Sequence, residues 1–220
     1  QKDYDASTLG FSLANDSIVR KSIPLNLVTP TLLDFEMLKV LGHTSASIQH
    51  DFNNLFIPFR CVASDVYGKN SVTFSKGNLN EAVRASMTYP LYVNPIKIDG
   101  VIYFDGGMYN NFPSNVMCDD FSPDFVIGSN VSSNMELPDE RDMFGVLRSM
   151  LTTPTNYKLS CSDGIVIEAK TDIGVFEFER AKEAIDEGYS KTLEKKIIFH
   201  PKVLPTIVIC DPELTIGMPK

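Results

Sequence analysis

The residues with the clearest chemical potential are Asp105, Gly106 and Gly107, which stand together directly after a predicted strand. A carboxylate at a strand end can accept a proton from a hydroxyl group that comes within roughly 2.6 to 3.2 Å. Two glycines beside it allow another backbone to approach closely. Taken alone, however, this tripeptide favours a simple turn, because Asp and Gly are both common turn residues.

A base of this kind needs a nucleophile, and serine hydrolases often carry it in a G-x-S-x-G turn between a buried strand and a helix. That pattern does not occur in the 220 residues. The nearest sequence is 10–14, GFSLA, where polar residues precede the turn and Ala14 replaces the last glycine. We therefore expect Ser12 to be an ordinary loop or helix-end serine. The other serines considered are Ser45 and Ser47, which lack the required context, and Ser64 and Ser86, which we expect to support the scaffold.

A β-hairpin is predicted to place Asp105 at its strand end. The pair Asp99-Gly100 is a strong two-residue turn signal and joins two short β-favouring segments, Pro95–Ile98 and Val101–Phe104. The chain therefore delivers the Asp-Gly-Gly sequence at the exit of the second strand.

The remaining predicted elements alternate between buried strands and amphipathic helices, which favours an α/β layer architecture. Gly42 and Pro90 are predicted to end the first two helices. In chain order the elements are a helix over Thr31–Gly42, strands over Ile57–Tyr67 and Val72–Phe74, a helix from Asn78, a strand over Asp124–Ser129, a helix over Arg141–Leu151, a strand over Gly164–Ala169 and a helix from Phe178 through Leu193.

Composition and charge narrow the function classes. The chain is 43% hydrophobic and 22% charged, as expected for one globular domain with a sizeable core. Its net charge of −8 repels phosphate backbones, so nucleic-acid binding is disfavoured. No apolar run approaches the roughly 18 to 20 residues that span a bilayer.

The four cysteines do not form a metal-binding pattern. None of them stands in a C-x-x-C pair, and the three histidines lie apart from them, so a zinc site is not expected and no metal or other cofactor is predicted. The four cysteines could also form two disulfides, and three pairings are possible. Cys61 and Cys210 lie in apolar, strand-like runs where a buried free thiol is the commoner outcome.

The stretch from Pro58 onward resembles the patatin-like phospholipase family. The matching motifs are the strand FRCVASD, the helix AVRASMTYP, the IDG hairpin, the DGG turn, the NNFP after it and the strand DFVIGS. Weaker similarity extends upstream through IPLNLVTPTLLDFEML and downstream through DGIVIEA and EAIDEGYS.

The resemblance implies a patatin-like three-layer α/β/α fold that lacks its N-terminal, nucleophile-bearing strands. Residues 1–200 would form this partial domain, and residues 201–220 a tail or the start of a following domain. It also implies a parent enzyme that hydrolyses acyl esters of phospholipids or other lipids with a Ser–Asp dyad. Asp105 would be the catalytic aspartate and Gly106 and Gly107 its turn.

Four further residues are expected to support this turn. Arg84, Asn110 and Asn111 could hold the Asp105 loop by hydrogen bonds. Asp65 could brace the same region, although a strand-end aspartate that caps its own turn is the simpler interpretation.

Three functional hypotheses follow. In the first, the serine lies outside this sequence and the isolated chain is inactive. In the second, the scaffold is a noncatalytic lipid-binding or interaction module. In the third, Ser12 is a displaced nucleophile.

The expected partners are a phospholipid or other acyl-ester lipid, with transient contact to a membrane surface. Uncovered sheet edges also favour a homodimer or association with the missing N-terminal part. The sequence does not determine the cellular compartment. The segment PTIVICDPELTIG is faintly similar to segments that lead to an outer-membrane region in some bacterial relatives, which would make the parent protein an exported one.

Overall fold

A computed structural model describes residues 30–195 apart from 91, 135–137, 140, 162 and 175. Helices alternate with strands that form two sheets, which confirms the α/β class and is consistent with a patatin-like fold. Ser12, Cys210 and the predicted tail lie outside the described residues. The elements are α1 Thr31–Ser47, β1 Cys61–Asp65, β2 Asn70–Phe74, α2 Leu79–Ser86, β3 Ile96–Ile98, β4 Val101–Asp105, α3 Ser114–Phe121, β5 Val126–Asn130, α4 Met143–Leu151, β6 Gly164–Glu168 and α5 Ala181–Glu194.

A four-stranded antiparallel sheet with the order β2-β1-β4-β3 positions the Asp-Gly-Gly sequence. The predicted hairpin is confirmed, since β3 and β4 are joined by Asp99 (φ 49°) and Gly100 (φ 89°). Two successive positive φ angles are the geometry that an Asp-Gly hairpin turn requires. The strand expected over 57–67 is shorter, but β1 is buried along most of its length as predicted.

Helix α2 covers this sheet and supplies much of its core. Ala85 packs with Ala63 and Tyr103, while Leu79 and Ala82 belong to a second cluster. Asn78 is the N-cap residue as predicted, but its side chain forms no capping hydrogen bond. The hydroxyl of Ser45, on α1, instead accepts the backbone N–H of Leu79 at 3.1 Å.

Helix α1 is longer than predicted and Gly42 does not end it. The helix continues to Ser47, whose carboxyl-side neighbour Ile48 is buried in the core. The apolar positions Leu32, Phe35 and Leu38 are more than half exposed in the described structure. Leu41, which continues the same helical spacing, packs against the core cluster that contains Leu79, so the described residues cover only the carboxyl-terminal end of this face.

Strands β5 and β6 form a separate parallel pair, from Val126 opposite Gly164 to Asn130 opposite Glu168. The spacing of Ala181, Ile185, Tyr189 and Leu193 predicts that α5 packs against a sheet, and α5 does contact β6. The three larger residues of that face are nevertheless mainly exposed within the described structure. Ile185, Tyr189 and Leu193 are 59 to 68% exposed. Ala184 is less exposed than these residues.

One disulfide links Cys118 in α3 to Cys161, with 5.6 Å between their Cα atoms. Cys61 is a buried free thiol, as predicted, and burial raises its pKa to about 12. No group of His, Cys, Asp and Glu side chains suited to holding a metal ion occurs in the described part of the chain. Within that part, every helix is too short or too polar to cross a bilayer.

Candidate active site

Asp105 closes β4 and faces Ala63 of β1 in the antiparallel register. A short 3-10 turn over Gly106–Met108 follows it directly. The carboxylate oxygen Oδ1 accepts the backbone N–H of Gly107 at 2.6 Å, so the side chain caps this turn. This bond fixes the orientation of a half-buried carboxylate at the end of an interior strand, as a positioned proton acceptor requires.

The two glycines of the turn have different reasons to lack a side chain. A Cβ at Gly106 would collide with the backbone carbonyl of Val62, whose carbon would lie only 2.8 Å away. A Cβ at Gly107 would lie 2.9 Å from Oδ1 of Asp105 and 2.6 Å from Oδ1 of Asn111. Gly106 therefore allows the turn to approach β1, whereas Gly107 leaves space for the carboxylate itself.

Two buried residues hold the backbone of Asp105 from both sides. Its N–H donates to the carbonyl oxygen of Thr88 at 2.9 Å. Its own carbonyl oxygen accepts the hydroxyl proton of Ser64 at 2.8 Å. Both residues are fully buried. Thr88 was not singled out from the sequence, because the group that it offers is a backbone carbonyl.

Arg84 fixes Thr88 in turn. Its guanidinium is almost completely buried and donates to the hydroxyl of Thr88, to the carbonyl oxygen of Asn94 at 2.9 Å and to the carboxylate of Asp34 at 2.6 Å. The hydroxyl of Thr88 donates back to the carbonyl oxygen of Arg84 at 2.7 Å. Arg84 thus reaches the Asp105 backbone through Thr88 and ties both to α1 through Asp34.

Asn110 and Asn111 lie just after the turn and connect it to other segments. The Asn110 amide donates to Asn115 at 3.0 Å. The side chain of Asn111 donates to the hydroxyl of Tyr157 at 3.2 Å, and its backbone N–H donates to Thr155 at 3.3 Å.

The partners of Asn111 belong to a strap, residues 153–161, that runs beside the segment after the turn. The N–H of Thr153 donates to the Met108 carbonyl oxygen at 2.8 Å, and Ser114 bonds to Lys158 and Ser160. The Cys118–Cys161 disulfide closes its far end. The positions of the four cysteines in the sequence were not enough to identify this pairing.

Asp65 does not join the Asp105 turn. Its Oδ1 accepts the N–H groups of Tyr67 and Gly68, both at 2.9 Å, and so caps the β1–β2 turn. The simpler interpretation made from the sequence describes this geometry. Asp65 and Asp105 are therefore two strand-end aspartates of the same sheet, and each caps its own turn through Oδ1.

Ser45 and Ser47 lie on α1, and their hydroxyls form local hydrogen bonds. Ser45 is buried and lies 3.2 Å from Nδ1 of His50, but it also accepts the Leu79 N–H of α2. The hydroxyl of Ser47 donates to the His43 carbonyl oxygen at 2.7 Å. Ser86 is buried in α2. These positions fit structural roles.

An open cleft of about 790 Å³ lies beside α5 rather than beside Asp105. Carboxylates outnumber cations among its lining residues, which makes it a poor receptacle for an acyl chain. Hydrogen bonding and strand register, not this cleft, define the candidate site. The lining residues are Lys170, Thr171, Asp172, Glu179, Arg180, Lys182, Glu183, Asp186 and Glu187.

Comparison with known families supports the same region. Residues 37–117 match the family model described as patatin-like phospholipase. The matched range contains α2, the whole four-stranded sheet and the Asp105 turn. The resemblance inferred from the motifs is confirmed.

Several similar curated proteins are mycobacterial. An uncharacterized NTE family protein of Mycobacterium bovis is 28% identical over 123 residues, which cover 54% of this chain and 19% of that protein. A Mycobacterium tuberculosis protein of the same description matches to the same extent. Another Mycobacterium bovis NTE family protein is 39% identical over 57 residues, 26% of this chain and 16% of its own length. The matched stretches thus span about a fifth or less of these relatives.

Proposed function

We propose that this chain supplies the aspartate of a serine lipid acyl hydrolase that cleaves phospholipids or other acyl-ester lipids. The observation that carries the proposal is the Asp105 turn within the family match, with its carboxylate fixed by the Gly107 N–H and its backbone held by Thr88 and Ser64. Such fixed geometry favours proton transfer, because little reorganisation is needed when the substrate binds.

In the proposed reaction, Asp105 accepts the proton of a serine hydroxyl while the serine oxygen attacks the ester carbonyl. Collapse of the tetrahedral intermediate breaks the ester bond, and the leaving alcohol takes the proton. Water then attacks the acyl-serine and Asp105 accepts its proton. The bond to the serine oxygen breaks, that oxygen takes the proton back from Asp105, and the fatty acid is released. In this proposal the serine is encoded outside these 220 residues.

The supporting residues would act on Asp105 indirectly. Arg84 sets the position of Thr88, and Thr88 sets the Asp105 backbone, while Asn111 ties the end of the turn to the strap 153–161. Asp65 caps its own turn and has no proton-transfer role in this proposal.

The first experiment compares hydrolysis of a short-chain ester by the 220-residue chain and by a longer polypeptide with upstream sequence. We expect turnover and fluorophosphonate labelling of an upstream serine in the longer polypeptide only. Labelling of Ser12 in the 220-residue chain would instead place the nucleophile here. If neither protein is labelled or turns over the ester, the noncatalytic lipid-binding or interaction module is favoured. The absence of a G-x-S-x-G pattern from the 220 residues is consistent with that alternative.

A further inference from the structure

We infer that an aromatic patch beside the Asp105 turn is the surface that meets the phospholipid interface. The patch consists of Tyr89, Tyr92, Phe176 and Phe178 together with the guanidinium of Arg148. The inference rests on the proposed function and deepens it, because it names the part of the molecule that presents lipid to the site.

Four aromatic rings from two distant segments meet in this patch. The centroids of Tyr92 and Phe176 are 4.3 Å apart, those of Tyr89 and Phe176 5.7 Å, and those of Phe176 and Phe178 6.3 Å. Phe176 and Phe178 are nevertheless 44% and 48% exposed. Clustered phenylalanines that stay half exposed indicate a contact surface, since single exposed apolar residues are common but contiguous ones are not.

The patch adjoins the candidate catalytic carboxylate through the backbone. Tyr89 directly follows Thr88, whose carbonyl oxygen accepts the N–H of Asp105 at 2.9 Å. The patch therefore begins one residue from the group that anchors the Asp105 backbone.

The charges of the patch fit a phospholipid headgroup. The guanidinium of Arg148 lies 5.6 Å from the centroid of the Tyr89 ring, within the range of a cation–π contact. Glu177, between the two phenylalanines, is paired with Arg180 at 3.1 Å. No carboxylate of the described residues forms a salt bridge with Arg148, so its charge is available to a phosphate. Tyrosines beside apolar rings are typical of the membrane–water boundary.

Two other exposed apolar surfaces lack this combination. The stripe of Ile185, Tyr189 and Leu193 on α5 lies among paired charges, Asp186 with Lys182 and Glu194 with Lys191. No cation of the described residues lies over its Tyr189 ring. The stripe of Leu32, Phe35 and Leu38 on α1 carries the mutually paired Glu36 and Lys39. These stripes serve as matched controls.

The chain contains no tryptophan, so a single introduced indole is an unambiguous fluorescent reporter. Phe176→Trp tests the patch, and Tyr189→Trp on α5 and Phe35→Trp on α1 are the controls. Each variant of the 220-residue chain is mixed with phosphatidylcholine vesicles with and without brominated acyl chains. The net charge of −8 makes this zwitterionic lipid a better probe than an anionic one.

The expected result is a blue shift of the Phe176→Trp emission and its quenching by brominated lipid, with no change for either control. Equal or larger changes in a control would overturn the inference, as would an unchanged Phe176→Trp spectrum.

A second measurement uses vesicle flotation of the otherwise unaltered chain. Phe176→Ser combined with Phe178→Ser should lower the partition coefficient by roughly tenfold or more, because the apolar area of two rings would no longer be buried in lipid. Ile185→Ser combined with Leu193→Ser should leave it unchanged. Vesicle binding needs no ester cleavage, so a failure of the proposed hydrolysis would be seen separately in the turnover assay.

Discussion

The backbone N–H of Asp105 donates to the carbonyl oxygen of Thr88 at 2.9 Å and so joins the end of β4 to the chain just after α2. This bond makes the position of the candidate carboxylate depend on the helix that covers the sheet. A backbone carbonyl cannot be removed by substitution. The side chains that fix Thr88 are therefore the ones that can be tested.

Arg84→Met removes the buried guanidinium that bonds to Thr88, Asn94 and Asp34. We expect the free energy of unfolding to fall by about 3 kcal/mol, because buried polar groups lose their partners. Lys39→Met is the matched control, since Lys39 forms an exposed pair with Glu36 on the same helix as Asp34. It should change stability by less than about 0.5 kcal/mol in urea denaturation. Equal effects of the two substitutions would contradict the account.

Three glycine-to-alanine substitutions should differ in sign and readout. Gly106→Ala should destabilise the fold by about 2 kcal/mol or more, because its Cβ meets the Val62 backbone. Gly188→Ala should stabilise it by about 0.5 to 1 kcal/mol, because Gly188 lies inside α5 and its Cβ would meet open space.

Gly107→Ala should lower activity in the longer polypeptide more than it lowers stability. The new methyl group displaces the side chains of Asp105 and Asn111 rather than backbone. Turnover and thermal unfolding measured on the same variant separate the two effects. A parallel loss of both would assign Gly107 to folding alone.

The Cys118–Cys161 disulfide closes 43 residues of chain and holds the strap 153–161. Its loss should lower the free energy of unfolding by up to about 4 kcal/mol through the entropy of the unfolded chain. Urea denaturation with and without reductant measures this difference. The control is a Cys118→Ala and Cys161→Ala double variant, whose stability should not respond to reductant. An unchanged free energy of unfolding of the wild-type chain in reductant would contradict the predicted contribution of the disulfide.

Because the thiol of Cys61 is buried, we expect the free energy of unfolding to depend on pH above neutrality. Its pKa is raised to about 12 in the folded chain by burial, whereas an exposed thiol has a pKa of about 8.5. The contribution is fully present below about pH 8.5 and is lost as the pH rises toward 12, since only the unfolded chain then releases the proton. The free energy of unfolding should therefore fall more steeply with pH in the wild type than in Cys61→Ala. Identical slopes would show that the thiol titrates normally.

Local signals in the sequence predicted the parts of the fold that depend on neighbouring residues. Asp99-Gly100 encodes a turn with two positive φ angles, so the hairpin could be placed to within a residue. The Asp105 turn followed from that hairpin and from the motif match. Helix α5 was also located correctly and contacts β6, although its larger apolar residues are mainly exposed.

Features that depend on distant residues could not be read from the sequence. Gly42 looked like a helix end, but α1 continues because Ser45 bonds to α2 and Ile48 enters the core. The pairing of Cys118 with Cys161 requires the fold to bring them together. The role of the Thr88 carbonyl has no side-chain signature at all.

The most direct measurement is turnover of a short-chain ester by the longer polypeptide carrying Asp105→Asn or Asp65→Asn. Both aspartates end strands of one sheet and accept backbone N–H groups through Oδ1, two at Asp65 and one at Asp105, so Asp65→Asn is a control for the loss of a turn cap. The account predicts that Asp105→Asn lowers kcat by roughly 10²- to 10⁴-fold while Asp65→Asn keeps most of the activity. Near wild-type turnover in Asp105→Asn, with the fold intact, would remove Asp105 from the reaction.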